Sequence, residues 1–210
     1  MQDENAAAMS GDQTSGVGKL PARIEGLINA SGRADPRLLE RVAASCSEAE
    51  FVRFMRHPVL VGSAIQAGLL YRQTETTTAI NKTFVFTLTD QDPLEGSPEA
   101  IKRAIYLLTK RPDASTATHL LTIGRISDND LVIPDMSISK RHAIIEIMQD
   151  GYWIRDCDST NGTLVNDIPV GHKPVLLQDG DIISLARYEF VFLTPASLYA
   201  RLVTSSSQPG

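Results

Sequence analysis

The chain has 210 residues, of which 42% are hydrophobic and 21% charged, and it carries a formal net charge of -5. This is the composition of a globular protein able to bury a sizeable core, and one domain plus an appendage is the first expectation. The acidic total argues against a nucleic-acid partner, which calls for a broad basic face.

The opening stretch, MQDENAAAMSGDQTSGVGK, has neither the basic nor the apolar segment of a secretory leader, so the chain is expected in the cytoplasm. Residues 1–34 are poor in large apolar side chains and read as a disordered tail. From Asp35-Pro36 onward, Leu38, Leu39, Val42, Ala43, Cys46, Phe51, Phe54 and Met55 recur at helical spacing, with Pro36 in a first turn and Pro58 as a stop. The apolar run Val59 to Leu70 is too short to span a bilayer and carries Gln66, so it is expected as a buried helix and no membrane insertion is expected. Thr83 to Thr89 alternates as a strand, and Asp90 to Ser97 reads as a link. Residues 35–103 are thus expected as a small, mainly helical region with one strand.

Beyond Ala104 the texture changes to short runs separated by Gly, Asp, Asn and Pro turns: AIYLLTK, HLLTIGR, DLVIPD, HAIIEIM, GYWIRD, TLVND, DIISLA and YEFVFL. Many short strands with frequent turns imply an antiparallel β-sandwich or barrel over 104–194. Residues 195–210 read as a short helix over Pro195–Val203 and a loose tail. The fold class expected is therefore mainly β, preceded by a small helical N-terminal region.

Several chemistries can be set aside. Cys46 and Cys157 are far apart without ligand-like neighbours, and the four histidines lack metal-ligand spacing, so neither a metal nor any cofactor is expected. Ser137-Ile138-Ser139-Lys140 matches the S-x-x-K pattern, but that motif needs a helix and here it precedes a strand. No G-x-S-x-G occurs, and no catalytic residue is assigned: the chain is not expected to be an enzyme. The sequons at Asn81 and Asn161 are dismissed because no secretory route is indicated.

An anion is the better ligand. Arg125 ends a predicted strand behind Gly124, and its planar guanidinium matches phosphate oxygens. Ser139 supplies a hydroxyl on the next loop, and Lys140 or Arg141 a second positive charge. Asn161, in the turn Asn161-Gly162, carries an amide suited to gripping a peptide main chain, and Thr160 beside it would line a small pocket. Loops at one end of a sandwich converge, so these groups are expected to meet.

Gly124-Arg125, Ser139-x-x-His142, Ser159-Thr160-Asn161-Gly162-Thr163 and Asp179-Gly180-Asp181, in that order, resemble the forkhead-associated (FHA) domain, a β-sandwich that binds phosphothreonine peptides through its apical loops. The resemblance spans roughly Ala104 to Leu193. It implies that Arg125 and Ser139 hold the phosphate, helped by Lys140, with Arg141 beside it as a further candidate phosphopeptide contact. Thr160 would contact the phosphothreonine, Asn161 the peptide main chain, and His142 would brace the loops. Gly124 and Gly162 would allow close approach and turning. Ala186 after Leu185, and Asn166-Asp167, stand where the family often has Gly and Asn-Gly. The tract Thr74-Glu75-Thr76-Thr77-Thr78 resembles the phosphorylated segment of some small bacterial FHA regulators, which makes Thr76 and Thr77 candidate kinase targets.

The function implied is a phosphothreonine-dependent adaptor or regulator, with a Ser/Thr kinase upstream and self-association through the N-terminal region or the phosphorylated tract. The alternative is a structural or assembly subunit that binds partners independently of phosphorylation.

Overall fold

The structure is a computed structural model that describes residues 24–63, 96–111 and 116–206. Thr76, Thr77 and the strand expected at Thr83–Thr89 lie outside the described residues. Two sheets pack face to face, and a layer of helices covers the outer side of one of them.

The described chain begins with a 3-10 turn (Ile24–Leu27) and strand β1 (Arg33–Ala34), followed by helices α1 (Pro36–Ala44) and α2 (Glu48–Met55). Strand β2 (Val59–Gly62), helix α3 (Pro98–Lys102) and strand β3 (Ile105–Leu107) come next. The remaining strands are β4 (Leu120–Gly124), β5 (Leu131–Val132), β6 (Ala143–Met148), β7 (Gly151–Asp156), β8 (Thr163–Val165), β9 (Ile168–Val170), β10 (Val175–Leu176), β11 (Ile182–Leu185) and β12 (Tyr188–Leu193). Helix α4 (Pro195–Ser206) closes the described chain and runs three residues past the expected end. One sheet has the order β1-β3-β2-β12-β11-β8-β9 and the other β10-β7-β6-β4-β5.

The helical stretch is two helices. The Asp35 carboxylate accepts the Arg37 amide at 2.9 Å, with Pro36 in the first turn of α1. Ser47 and Glu50 then form a reciprocal capping box that starts α2.

Three expectations need correction. Val59–Gly62 is a strand rather than the start of a helix. It lies between β3 and β12 and is buried throughout, with Leu60 facing the inter-sheet core and Val59 and Val61 facing the helices. A strand buried on both faces shows no alternation, so periodicity cannot separate it from a helix. Gly62 is needed there because a Cβ would collide with the Lys102 carbonyl.

Residues 24–34 are not a tail, since Ile24, Leu27 and Ala34 are buried and β1 pairs with β3. Nor does position 104 separate two packed units. β1 and β2 complete the large sheet, and α1 and α2 share one apolar layer with α4 on its outer face. There the Phe51 and Tyr199 rings lie 5.4 Å apart, and the Tyr199 hydroxyl donates to the Cys46 carbonyl at 3.1 Å.

The inter-sheet core contains Leu121, Ile123, Ile145, Ile154, Ile183, Leu185 and Phe190, all fully buried. The pairing Ile123 to Ala143 to Asp156, and Val170 to Thr163 to Leu185, aligns one end of both sheets. The segments after β4, between β5 and β6, between β7 and β8, and between β11 and β12 therefore emerge together.

Candidate functional site

Arg125 is the first residue past β4 and is held by the β5–β6 loop. Its amide donates to the Ser139 carbonyl at 3.0 Å and its Nε to the Ile138 carbonyl at 3.2 Å, while Nη1 lies 3.6 Å from the Met136 sulfur. The guanidinium is thereby placed beside Ser139. The Ser139 hydroxyl accepts the Thr160 amide at 3.0 Å, with the two hydroxyls 3.4 Å apart. Asn161 donates its Nδ2 to the Ser137 carbonyl at 2.7 Å. The structure thus brings Arg125, Ser139, Thr160 and Asn161 together from three loops, with Thr160 and Asn161 exposed. Lys140 and Arg141, also exposed, follow Ser139 on the same loop. They line a shallow hollow with Ile126, Asp128 and Asn129.

His142 is fully buried beneath these loops. Its Nδ1 accepts the Ser139 amide at 3.1 Å, which leaves the proton on Nε2, 3.0 Å from the Gly162 carbonyl. Burial pushes its pKa below the usual value and outweighs the opposing pull of Gly162 and Asp156, so the neutral ring is the folded form. Gly124 admits no side chain, because a Cβ would strike the Lys140 carbonyl and approach Asn129 Nδ2 within 2.7 Å. At Gly162 the space is open and the requirement is conformational, with φ at 78°.

Four supports were not anticipated from the sequence. Asn129, 2% exposed, donates Nδ2 to the Ile126 and Lys140 carbonyls at 2.8 Å each and joins the first loop to the second. Asp130, 1% exposed, accepts from Thr122 and from Lys110, which fixes the start of β5 beside β4. Asp156 accepts the Ser159 amide and the Ser159 and Thr163 hydroxyls at 2.7–2.8 Å. Its burial favours the neutral acid, but those bonds and nearby His142 prevail and hold the carboxyl below its usual range.

Asp135 accepts the Ser137 amide and hydroxyl, Arg187 Nη2 at 2.5 Å and the Tyr188 hydroxyl at 2.8 Å. Burial opposes its ionisation, but these four donors keep it ionised far below the carboxylate range. Through it the β11–β12 turn becomes a fourth loop of the site. That turn also sends the Ala186 amide to the Gly162 carbonyl at 3.1 Å. The only sequence signals were short Asx-type spacings, Asp135 to Ser137 and Asp156 to Ser159.

In the departures noted above, Ala186, Asn166 and Asp167 adopt φ of 54°, 50° and 64°, doing without glycine what glycine does most easily.

The FHA domain family model matches residues 121–186. The oxoglutarate dehydrogenase inhibitor of Corynebacterium jeikeium is 33% identical over 104 residues, covering 48% of this chain and 69% of that protein. The glycogen accumulation regulator GarA of Mycobacterium tuberculosis is 30% identical over 105 residues, covering 48% of this chain and 62% of GarA. An ABC transporter ATP-binding/permease protein of the same organism is 43% identical over 70 residues, 33% of this chain but 8% of the transporter. The match therefore spans just under two thirds of GarA and under a tenth of the transporter. Among solved structures, M. tuberculosis EmbR in complex with a low affinity phosphopeptide aligns at 34% identity and a TM-score of 0.35, over 38% of this chain and 21% of that one. With the ordered loop motifs in place and a relative matched over most of its length, the chain belongs to the FHA domain family.

Proposed function

We propose that the cup formed by Arg125, Ser139, Thr160 and Asn161, with Lys140 on the rim it shares with the neighbouring hollow, binds phosphothreonine on a protein partner, so that the chain is a non-catalytic, phosphorylation-dependent adaptor or regulator. The observation that carries this is that the Arg125 guanidinium, bonded to the Ile138 carbonyl of the next loop, and the Ser139 hydroxyl, bonded to the Thr160 amide of a third, come together in one place. A phosphothreonine brings about -1.5 to -2 charges and three strong acceptor oxygens. Charge-assisted bonds from Arg125 and Ser139 would each contribute ~1.5–3 kcal/mol, enough to make binding depend on the phosphate. Asn161 would hold the peptide main chain and His142 would keep two of the loops in register. The similarity to an oxoglutarate dehydrogenase inhibitor and to a glycogen accumulation regulator supports a regulatory role.

The site is taken to work in the cytoplasm, downstream of a Ser/Thr kinase. Among the described residues no helix is long and apolar enough to cross a membrane. A phosphopeptide library screened beside its unphosphorylated counterpart tests the proposal. Strict phosphothreonine dependence is expected, and equal retention of both forms would favour the phosphate-independent assembly role.

Thr76 and Thr77 are proposed targets of that kinase, with the modified tract docking in this cup or in a second copy's. A Cβ added at Gly96, where the described chain resumes, would lie 3.2 Å from the Pro134 side chain on the loop that carries Ser139, so the chain re-enters beside the site, which supports reach. Mass spectrometry after kinase treatment, followed by loss of trans-peptide binding, is the expected result; unchanged binding rejects self-docking.

A further inference from the structure

The hollow beside the cup, about 210 Å³ in volume, is bounded by Ile126, Asp128, Asn129, Lys140 and Arg141. Its walls belong to two loops that the buried Asn129 locks together through the Ile126 and Lys140 carbonyls. Its shape is therefore set without a ligand. Lys140 and Arg141 are exposed and form no ion pair with a described residue, whereas Lys110, Arg155 and Arg187 each do. Two neighbouring cations on a rim fixed by Asn129, with no ion-pair partner among the described residues, are suited to a ligand anion.

Position along the β5–β6 loop sets the direction. Ser137 meets Asn161, Ser139 meets Thr160, and Lys140 with Arg141 lines the hollow. A phosphate over Ser139 would thus have the main-chain grip of Asn161 on one side and the hollow on the other.

We propose that this hollow binds a second anionic group, either a carboxylate side chain or a second phosphate, on the same phosphothreonine segment. The chain then selects acidic over neutral contexts. Ile126, 36% exposed, supplies an apolar wall for the stem of such a side chain, and Asp128 limits the attraction. The inference rests on the phosphothreonine function proposed above.

The test uses the full chain and three peptides sharing one central phosphothreonine: neutral alanine flanks, glutamate flanks, and a second phosphothreonine. Calorimetry should show the glutamate peptide binding about three- to tenfold tighter than the neutral one, an advantage that shrinks in raised salt. Preference for the doubly phosphorylated peptide alone would support the hollow with phosphate as its anion. In Arg141→Gln the ratio between acidic and neutral peptides should fall toward one, and in Asp128→Asn it should rise. Equal affinities for all three peptides would overturn this inference and leave the phosphothreonine function standing. An acidic preference unchanged in Arg141→Gln would overturn the hollow as its source, and no binding of any peptide would remove both proposals.

Discussion

Replacing His142 with alanine removes a fully buried ring that holds two loops at once. It accepts the Ser139 amide at 3.1 Å and donates to the Gly162 carbonyl at 3.0 Å. Each hydrogen bond contributes about 1 kcal/mol net. A ring-sized void of roughly 65 Å³, at about 24 cal/mol per Å³, adds ~1.5 kcal/mol. The expected loss is therefore about 3–4 kcal/mol, or a fall in Tm of roughly 7–14 °C for a domain of this size. Urea unfolding at pH 7.5 with an unchanged slope would measure it, and calorimetry on the same samples should show weakened phosphothreonine binding because Ser139 and Gly162 are no longer held.

The pH dependence has a definite sign. The folded-state pKa of His142 lies below its usual value, so as pH falls through about 6.5 the unfolded chain takes up the proton first. The ring's contribution is complete above that pH and declines until the folded pKa is passed. His142→Ala should flatten this part of the wild-type stability profile. A loss under ~1 kcal/mol with full peptide affinity would refute the bracing role.

Arg125→Ala should lower phosphothreonine affinity at least about 100-fold, as two charge-assisted bonds of ~1.5–3 kcal/mol imply, while shifting stability by no more than roughly 1 kcal/mol. Calorimetry and thermal melts check both halves. Asp135→Asn weakens the tie between the β5–β6 loop and the β11–β12 turn. It should cost about 2 kcal/mol in urea unfolding and several-fold in affinity. Ala186→Gly relieves a φ of 54° and should raise stability by about 0.5–1 kcal/mol in the same assay. A destabilised Ala186→Gly would contradict the assignment of strain to that turn.

The sandwich was legible because Leu120–Gly124, Ala143–Met148, Gly151–Asp156 and Tyr188–Leu193 follow the two-residue period of a sheet or form short apolar runs between turn residues. The strands that escaped have physical reasons. β2 is buried on both faces, β9 contains Pro169, and β1 and β10 have two residues each. The helical layer was visible as helices, but its docking on the sheet depends on Val191, Leu193 and Phe51 meeting across more than a hundred residues.

The residues of the cup stood out because hydroxyl, amide and guanidinium groups recur at strand ends. Asn129, Asp130, Asp135 and Asp156 did not, since a buried polar residue in a turn looks like a solvated one until its partners are known. Tyr188 and Arg187 reach Asp135 from more than fifty positions away, a link that local spacing cannot reveal.

The most direct measurement is a nitrogen-15 correlation spectrum of the full chain titrated with a phosphothreonine peptide. The largest saturable shifts are expected at Arg125, Ser139, Lys140, Thr160, Asn161 and Gly162, with none from the unphosphorylated peptide. Shifts concentrated on the outer sheet faces or on α1, α2 and α4, or equal responses to both peptides, would contradict the account.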